Sequence, residues 1–168
     1  MSHPYDHSVT KYLVRPAVPA DARRVSEVRV QGWREAYAGL LSAELLASLD
    51  PEAAIEGWRR TIEAAETTSF VAEVDGVARG FAIAGPPQDT TPPRDRQLWL
   101  IYQDSALHGS GSGQALLEAV LEDAPAYLWT AELNPRAIAF YRRNGFEADG
   151  SRVVQADLEN LAELRMVR

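Results

Sequence analysis

Leu98-Trp-Leu-Ile-Tyr-Gln-Asp-Ser-Ala-Leu-His108-Gly-Ser-Gly-Ser-Gly113 reads as a strand, a turn and the start of a helix. Leu98 to Tyr102 is a short apolar run of buried-strand length. Glycines in the turn let the backbone approach a bulky anion and take positive φ where needed. The free N–H groups of the helix that follows then point at that anion, and the helix dipole adds to the attraction. A pyrophosphate is the natural occupant. A P-loop would need Gly-Lys-Ser/Thr, and this turn holds no lysine. A dinucleotide fingerprint would need GxGxxG, but Gly109, Gly111 and Gly113 alternate and Gln114 breaks the pattern. The plainer reading of Gly-Ser-Gly-Ser-Gly is a flexible linker. A linker separates self-sufficient units, however, and apolar elements abut this one on both sides.

Outward from the turn, Gln114 to Glu122 is expected to be helical, with Leu116, Leu117, Val120 and Leu121 on one face. Tyr127 to Ala131 follows as a strand and Pro135 to Arg143 as a helix, ended by Asn144-Gly145. Val153 to Ala156 and Leu164 to Val167 supply closing strands. Upstream, Ser69 to Val74 and Val77 to Ala84 are joined by Asp75-Gly76, a strong hairpin signal. Gly85 to Arg96 is a proline-rich loop. Tyr12 to Arg15 reads as a first strand and Ala20 to Val30 as a helix. A short aromatic segment, Trp33 to Tyr37, is bracketed by Gly32 and Gly39. Helical pieces follow at Ser42 to Leu49 and at Glu52 to Ala65, where Ile55, Trp58 and Ile62 share a face. This order implies an α/β protein with a mixed sheet in one domain spanning 1–168, with 1–10 a flexible N-terminus.

Composition narrows the chemistry. The absence of cysteine removes disulfides, thiolate nucleophiles and Cys-based metal sites, and it fits a reducing, cytoplasmic setting. A formal net charge of −7 disfavours a general binder of nucleic-acid backbones and suits a cationic partner. No apolar run approaches the length of a membrane span, and Met1 to Thr10 lacks the apolar core of a signal peptide.

A second block, Leu128-Trp-Thr-Ala-Glu-Leu-Asn134-Pro-Arg-Ala-Ile-Ala-Phe140-Tyr141-Arg-Arg-Asn-Gly145-Phe146, makes the reading specific. Together with the first it resembles the GNAT superfamily of N-acetyltransferases. His108-x-x-Gly111-x-Gly113 is similar to that family's Gln/Arg-x-x-Gly-x-Gly/Ala acetyl-CoA loop. Asn134, Phe140-Tyr141 and Gly145-Phe146 stand in the family's order. Trp33-Arg-Glu-Ala-Tyr37-Ala-Gly39-Leu looks like a subgroup of unassigned substrate. The resemblance implies the GNAT fold, a mixed central β-sheet with splayed central strands flanked by helices. It implies acetyl-CoA as co-substrate and no metal.

By resemblance, Tyr102 and Gln103 lie on the strand edge that takes pantetheine. His108, Gly109, Ser110, Gly111, Ser112 and Gly113 hold the pyrophosphate. Asn134 either offers its amide to the cofactor or serves only as a helix N-cap. Tyr141 falls on the tyrosine that protonates the leaving thiolate, a task suited to a phenol with pKa about 10, unless it is merely a core residue. Trp33, Glu35, Tyr37 and Gln97 fall on the acceptor side. Gln97 occupies the place where many members carry a glutamate base, and glutamine is no base at neutral pH. Glu35, Asp95, a water relay, or no dedicated base at all remain open. The expected partner is an amine-bearing small molecule or peptide, with no nucleic acid and no membrane. A homodimer is left open. The alternatives are a non-catalytic module that binds coenzyme A and a protein that holds a nucleotide.

Overall fold

The structure is a computed structural model, and it describes residues 11–168. The expectations for the first ten residues lie outside the described part. Seven strands form one mixed sheet in the order β1-β2-β3-β4-β5-β7-β6. They are β1 Leu13–Pro16, β2 Thr68–Val74, β3 Val77–Gly85, β4 Gln97–Gln103, β5 Tyr127–Ala131, β6 Glu147–Gln155 and β7 Leu161–Val167. The helices are α1 Ala22–Ala36, α2 Ala43–Ser48, α3 Pro51–Glu63, α4 Ser112–Leu121 and α5 Pro135–Arg143.

Local chemistry sets these elements. Asp75 and Gly76 take φ of +50° and +80°, the twist a two-residue hairpin loop needs between β2 and β3. Asp50 caps α3 by accepting from the Glu52 N–H, with Pro51 at the first helical position. Leu116, Leu117, Val120 and Leu121 of α4 are each at most 3% exposed. Burying each is worth about 1.5–3 kcal/mol. They pack with Leu98, Leu128, Phe146 and Met166 on one face of the sheet. On the other face Val25 and Val28 of α1, with Trp58 and Ile62 of α3, cover Val71, Phe81 and Ile83.

Two features place the site. First, β4 meets β5 in parallel at the single pair Gln97↔Tyr127, and the strands part beyond it. Second, the β3–β4 register shifts between Ile83 and Ala84, so that Leu100 and Leu98 face consecutive residues of β3 and Trp99 is the extra residue. Such a bulge inverts side-chain parity. Leu98 therefore packs toward α4, while Leu100 and Tyr102 pack toward α1.

Several boundaries differ from the sequence reading. The helix does not stop at Val30 but runs through Gly32 to Ala36, taking in most of the aromatic segment. Glycine is tolerated there because the ring of Tyr102 fills the space. A Cβ at Gly32 would lie 2.5 Å from Tyr102 Cδ1. The closing strands begin earlier, at Glu147 and Leu161. Strand β6 is a polar edge held by pairing with β7 and by Arg165, which donates to Asp149 Oδ2 and Ser151 Oγ, each at 2.8 Å. An edge held this way carries no apolar alternation to read. Helix α4 begins at Ser112, inside the glycine turn rather than after it.

Candidate functional site

The glycine turn leaves the end of β4 through a short 3-10 turn at Ser105–Leu107. Gly109 and Gly111 sit at φ of +78° and +90°. Those values favour glycine because a Cβ would crowd the neighbouring carbonyl. A Cβ on Gly109 would meet no atom within 4 Å, so that side of the turn is open. Ser110 Oγ donates to Leu107 O at 2.7 Å and accepts from the Ser112 N–H at 3.2 Å. Ser112 Oγ donates to Gln103 Oε1 at 2.8 Å. The polar Gln103, unexpected in a strand, thus clamps the turn to the end of β4. The amides of Gly111, Gly113 and Gln114 find no acceptor among the described residues. Unsatisfied N–H groups at the start of a ten-residue helix form an anion cradle. This geometry fits the pyrophosphate of coenzyme A.

His108 ends the 3-10 turn and is half-buried. Burial and the nearby Arg136 hold its imidazole below the usual pKa, against an opposing pull from Glu35 and Asp104. At neutral pH it is therefore an uncharged donor or acceptor rather than a cation.

Along the parted strands lies a cavity of about 620 Å³, walled by α1, β4, β5, α5, β7 and the loop after β3. Trp33, Tyr37, Gln97, Tyr102, Asn134 and Tyr141 all line it. Asn134 Oδ1 accepts from the Ala137 N–H at 3.1 Å and so caps α5. Its Nδ2 has no partner among the described residues, so capping does not use up the amide. Tyr141 is 9% exposed, packed edge-on against Phe140 and Phe146. Burial pushes its hydroxyl well above the ordinary phenol pKa, and nearby Tyr37 adds to the shift. Tyr102 and Tyr37 are raised chiefly by burial as well.

Gln97 is spoken for. Buried at 5% exposure, its Oε1 accepts from Tyr127 Oη at 2.7 Å and from the Gln88 N–H at 2.8 Å. It pins the loop after β3 to the foot of the opened strands. Glu35 and Asp95 are exposed and do not line the cavity. Glu35 accepts from Gln31 Nε2 at 2.7 Å, one turn back along α1.

The charged groups that do line the cavity are Asp89, Glu163 and Arg165, none of which the sequence reading singled out. Asp89 accepts from Arg165 Nη1 at 3.1 Å and from Trp129 Nε1 at 3.0 Å. For Glu163 and Arg165 the signal is alternation: on β7, Leu161, Glu163 and Arg165 share a face while Leu164 and Met166 face α4. That becomes legible only once β7 is known to lie beside β5. Among the described residues no group of three His, Cys, Asp or Glu is placed to hold a metal ion, and no described helix is long and apolar enough to cross a membrane.

An anion cradle at the mouth of an opened sheet, with a cavity along the same opening, agrees with the arrangement that the resemblance to the GNAT superfamily implies. The chain matches the model of the acetyltransferase (GNAT) family over residues 31–146, and it belongs to that family. No curated protein matches it in sequence. Among solved structures, a GCN5-related N-acetyltransferase from Rhodopseudomonas palustris is similar at 21% identity and a TM-score of 0.72, over 96% of this chain and 98% of that one. The ribosomal-protein-alanine N-acetyltransferase of Brucella melitensis is 25% identical with a TM-score of 0.71, over 93% and 98%. The PaiA N-acetyltransferase of Thermoplasma acidophilum, solved with coenzyme A, is 18% identical with a TM-score of 0.68, over 92% and 98%.

Proposed function

We propose that this protein is an N-acetyltransferase that moves an acetyl group from acetyl-CoA to a primary amine of a small molecule or peptide. The observation that carries the reading is the juxtaposition along the parted strands β4 and β5. The free amides of the glycine turn lie at the end of β4, and the cavity with Tyr141 lies alongside. In this reading His108 to Gly113 hold the pyrophosphate, while the edge of β4 through Tyr102 and Gln103 and the Asn134 amide hold the pantetheine arm. Acetyl-CoA supplies the acetyl thioester. The amine nitrogen bonds to the carbonyl carbon as the C–S bond breaks. Tyr141 gives its proton to the departing sulfur and regains one from solvent, while the amine loses one to solvent. With no cysteine in the chain, direct transfer needs no thiol relay.

The test is turnover of acetyl-CoA with a panel of amines, read as released thiol. Release that depends on an amine supports the reading. Tight acetyl-CoA binding with no turnover on any amine would instead leave a coenzyme A-binding module. No binding at all overturns both.

A further inference from the structure

Glu163 carries a charge that the fold does not neutralise. It is half-buried in the cavity wall, opposite Ala131 of β5 and Val153 of β6. Its Oε2 accepts from Gln155 Nε2 at 2.7 Å, and a neutral amide leaves the negative charge standing. No Arg or Lys among the described residues pairs with it. Asp89, the other carboxylate in the cavity, is already bound by Arg165 and Trp129. Arg165 is in turn shared with Asp149. Among the described residues that line the cavity, Glu163 is thus the carboxylate without an ion pair, near enough to Tyr37 to help raise its hydroxyl pKa against an opposing pull from Arg29. The same cavity is lined by the aromatic rings Trp33, Tyr37, Trp99 and Trp129. A half-buried carboxylate is costly alone and favourable beside a cation, and aromatic faces in the same cavity favour an organic one.

We infer that Glu163 is the acceptor anchor: it binds the ammonium of a monocationic amine whose aromatic or alkyl body rests on the tryptophan walls, and that nitrogen loses one proton to solvent before it attacks and a second as the amide forms. This inference rests on the acetyl-transfer reading above and names its acceptor class. A polycation finds no second free carboxylate among the described residues that line the cavity, so an amine with one charge and an apolar body is the better fit.

The probes are phenethylamine, which is a cation at pH 7, its neutral counterpart phenethyl alcohol, and spermidine. Each is titrated against tryptophan fluorescence of the wild type, Glu163→Gln and Glu163→Asp. Phenethylamine should bind the wild type at least tenfold more tightly than the alcohol and more tightly than spermidine. Glu163→Gln should erase the preference over the alcohol, and Glu163→Asp should retain most of it. If the wild type does not prefer the amine, or if Glu163→Gln keeps the preference intact, the assignment is overturned. The melting shift with acetyl-CoA is measured on the same preparations. Its persistence in Glu163→Gln shows an intact fold. Its absence from the wild type would overturn the acetyl-transfer reading, while the amine-to-alcohol ratio still decides Glu163 on its own.

Discussion

Tyr141 holds its proton more firmly than a phenol in water, because burial in the cavity wall penalises the phenolate. The group therefore stays protonated through the neutral and mildly alkaline range, and it should contribute no alkaline limb to the pH–rate profile below about pH 10. Tyr141→Phe removes the hydroxyl and keeps the ring between Phe140 and Phe146. We expect kcat to fall about 10–100-fold, the low end for general acid help because a thiolate is a tolerable leaving group. kcat/KM should fall with it, since the proton moves as the C–S bond breaks. The acetyl-CoA melting shift should be unchanged. A purely structural hydroxyl would give the opposite pattern, with a lower melting temperature and normal turnover per folded molecule. Steady-state kinetics and a melting curve on one preparation separate the two.

Among the elements, the start of α4 is the most exacting. Gly111 combines a φ of +90° with an N-capping position and an N–H that the fold leaves free. Gly111→Asp should cost about 1–2 kcal/mol in backbone strain and place a negative charge where the helix terminus holds an anion. Loss of the acetyl-CoA melting shift, with a folded far-ultraviolet spectrum, is the expected result. A fully retained shift would mean the turn does not hold the cofactor. The entry to α1 depends on charge instead. Asp21 accepts from both terminal guanidinium nitrogens of Arg15, Nη1 and Nη2, at 2.8 and 3.0 Å, and from the Val18 N–H at 2.9 Å. Its burial alone would raise the carboxyl pKa. The Arg15 and Val18 bonds outweigh that and hold it below the ordinary value. A depressed carboxyl stabilises the fold above its unfolded pKa and loses that contribution as pH falls through the folded one. Asp21→Asn should therefore cost about 1–3 kcal/mol at pH 7, and the gap to wild type should narrow below about pH 4. Urea midpoints measured from pH 3 to pH 7 would show it. A gap that stays constant with pH would mean Asp21 acts by shape rather than charge.

For the molecule as a whole, the parted strands β4 and β5 lack the run of cross-strand pairs that ties the rest of the sheet together. A ligand seated between them should tighten the entire fold. At about 100 times its dissociation constant, a ligand that binds only the native state adds ~2.7 kcal/mol. For a domain of this size that is roughly 5–11 °C in melting temperature. Acetyl-CoA should produce such a shift, and ATP and NADH much less. No shift at millimolar acetyl-CoA would remove the central reading.

The chain alone determined the local and the periodic. The β2–β3 hairpin, the buried face of α4, the glycine turn and the Asn134-Pro135 start of α5 each follow from a few neighbouring residues, through φ preference, capping and spacing. Where contacts decide, the sequence was silent. Helix α1 continues past Gly32 because a ring seventy residues downstream in β4 fills the space that glycine leaves. Strand β6 runs long because β7 and Arg165 hold a polar edge. Gln97 serves as a pin because Tyr127 and Gln88 converge on its oxygen. Glu163 lacked any motif and stood outside the strand read from Leu164. What distinguishes it is the lack of a cationic partner in a shared cavity, and charge compensation is a property of the surroundings that the folded chain brings together.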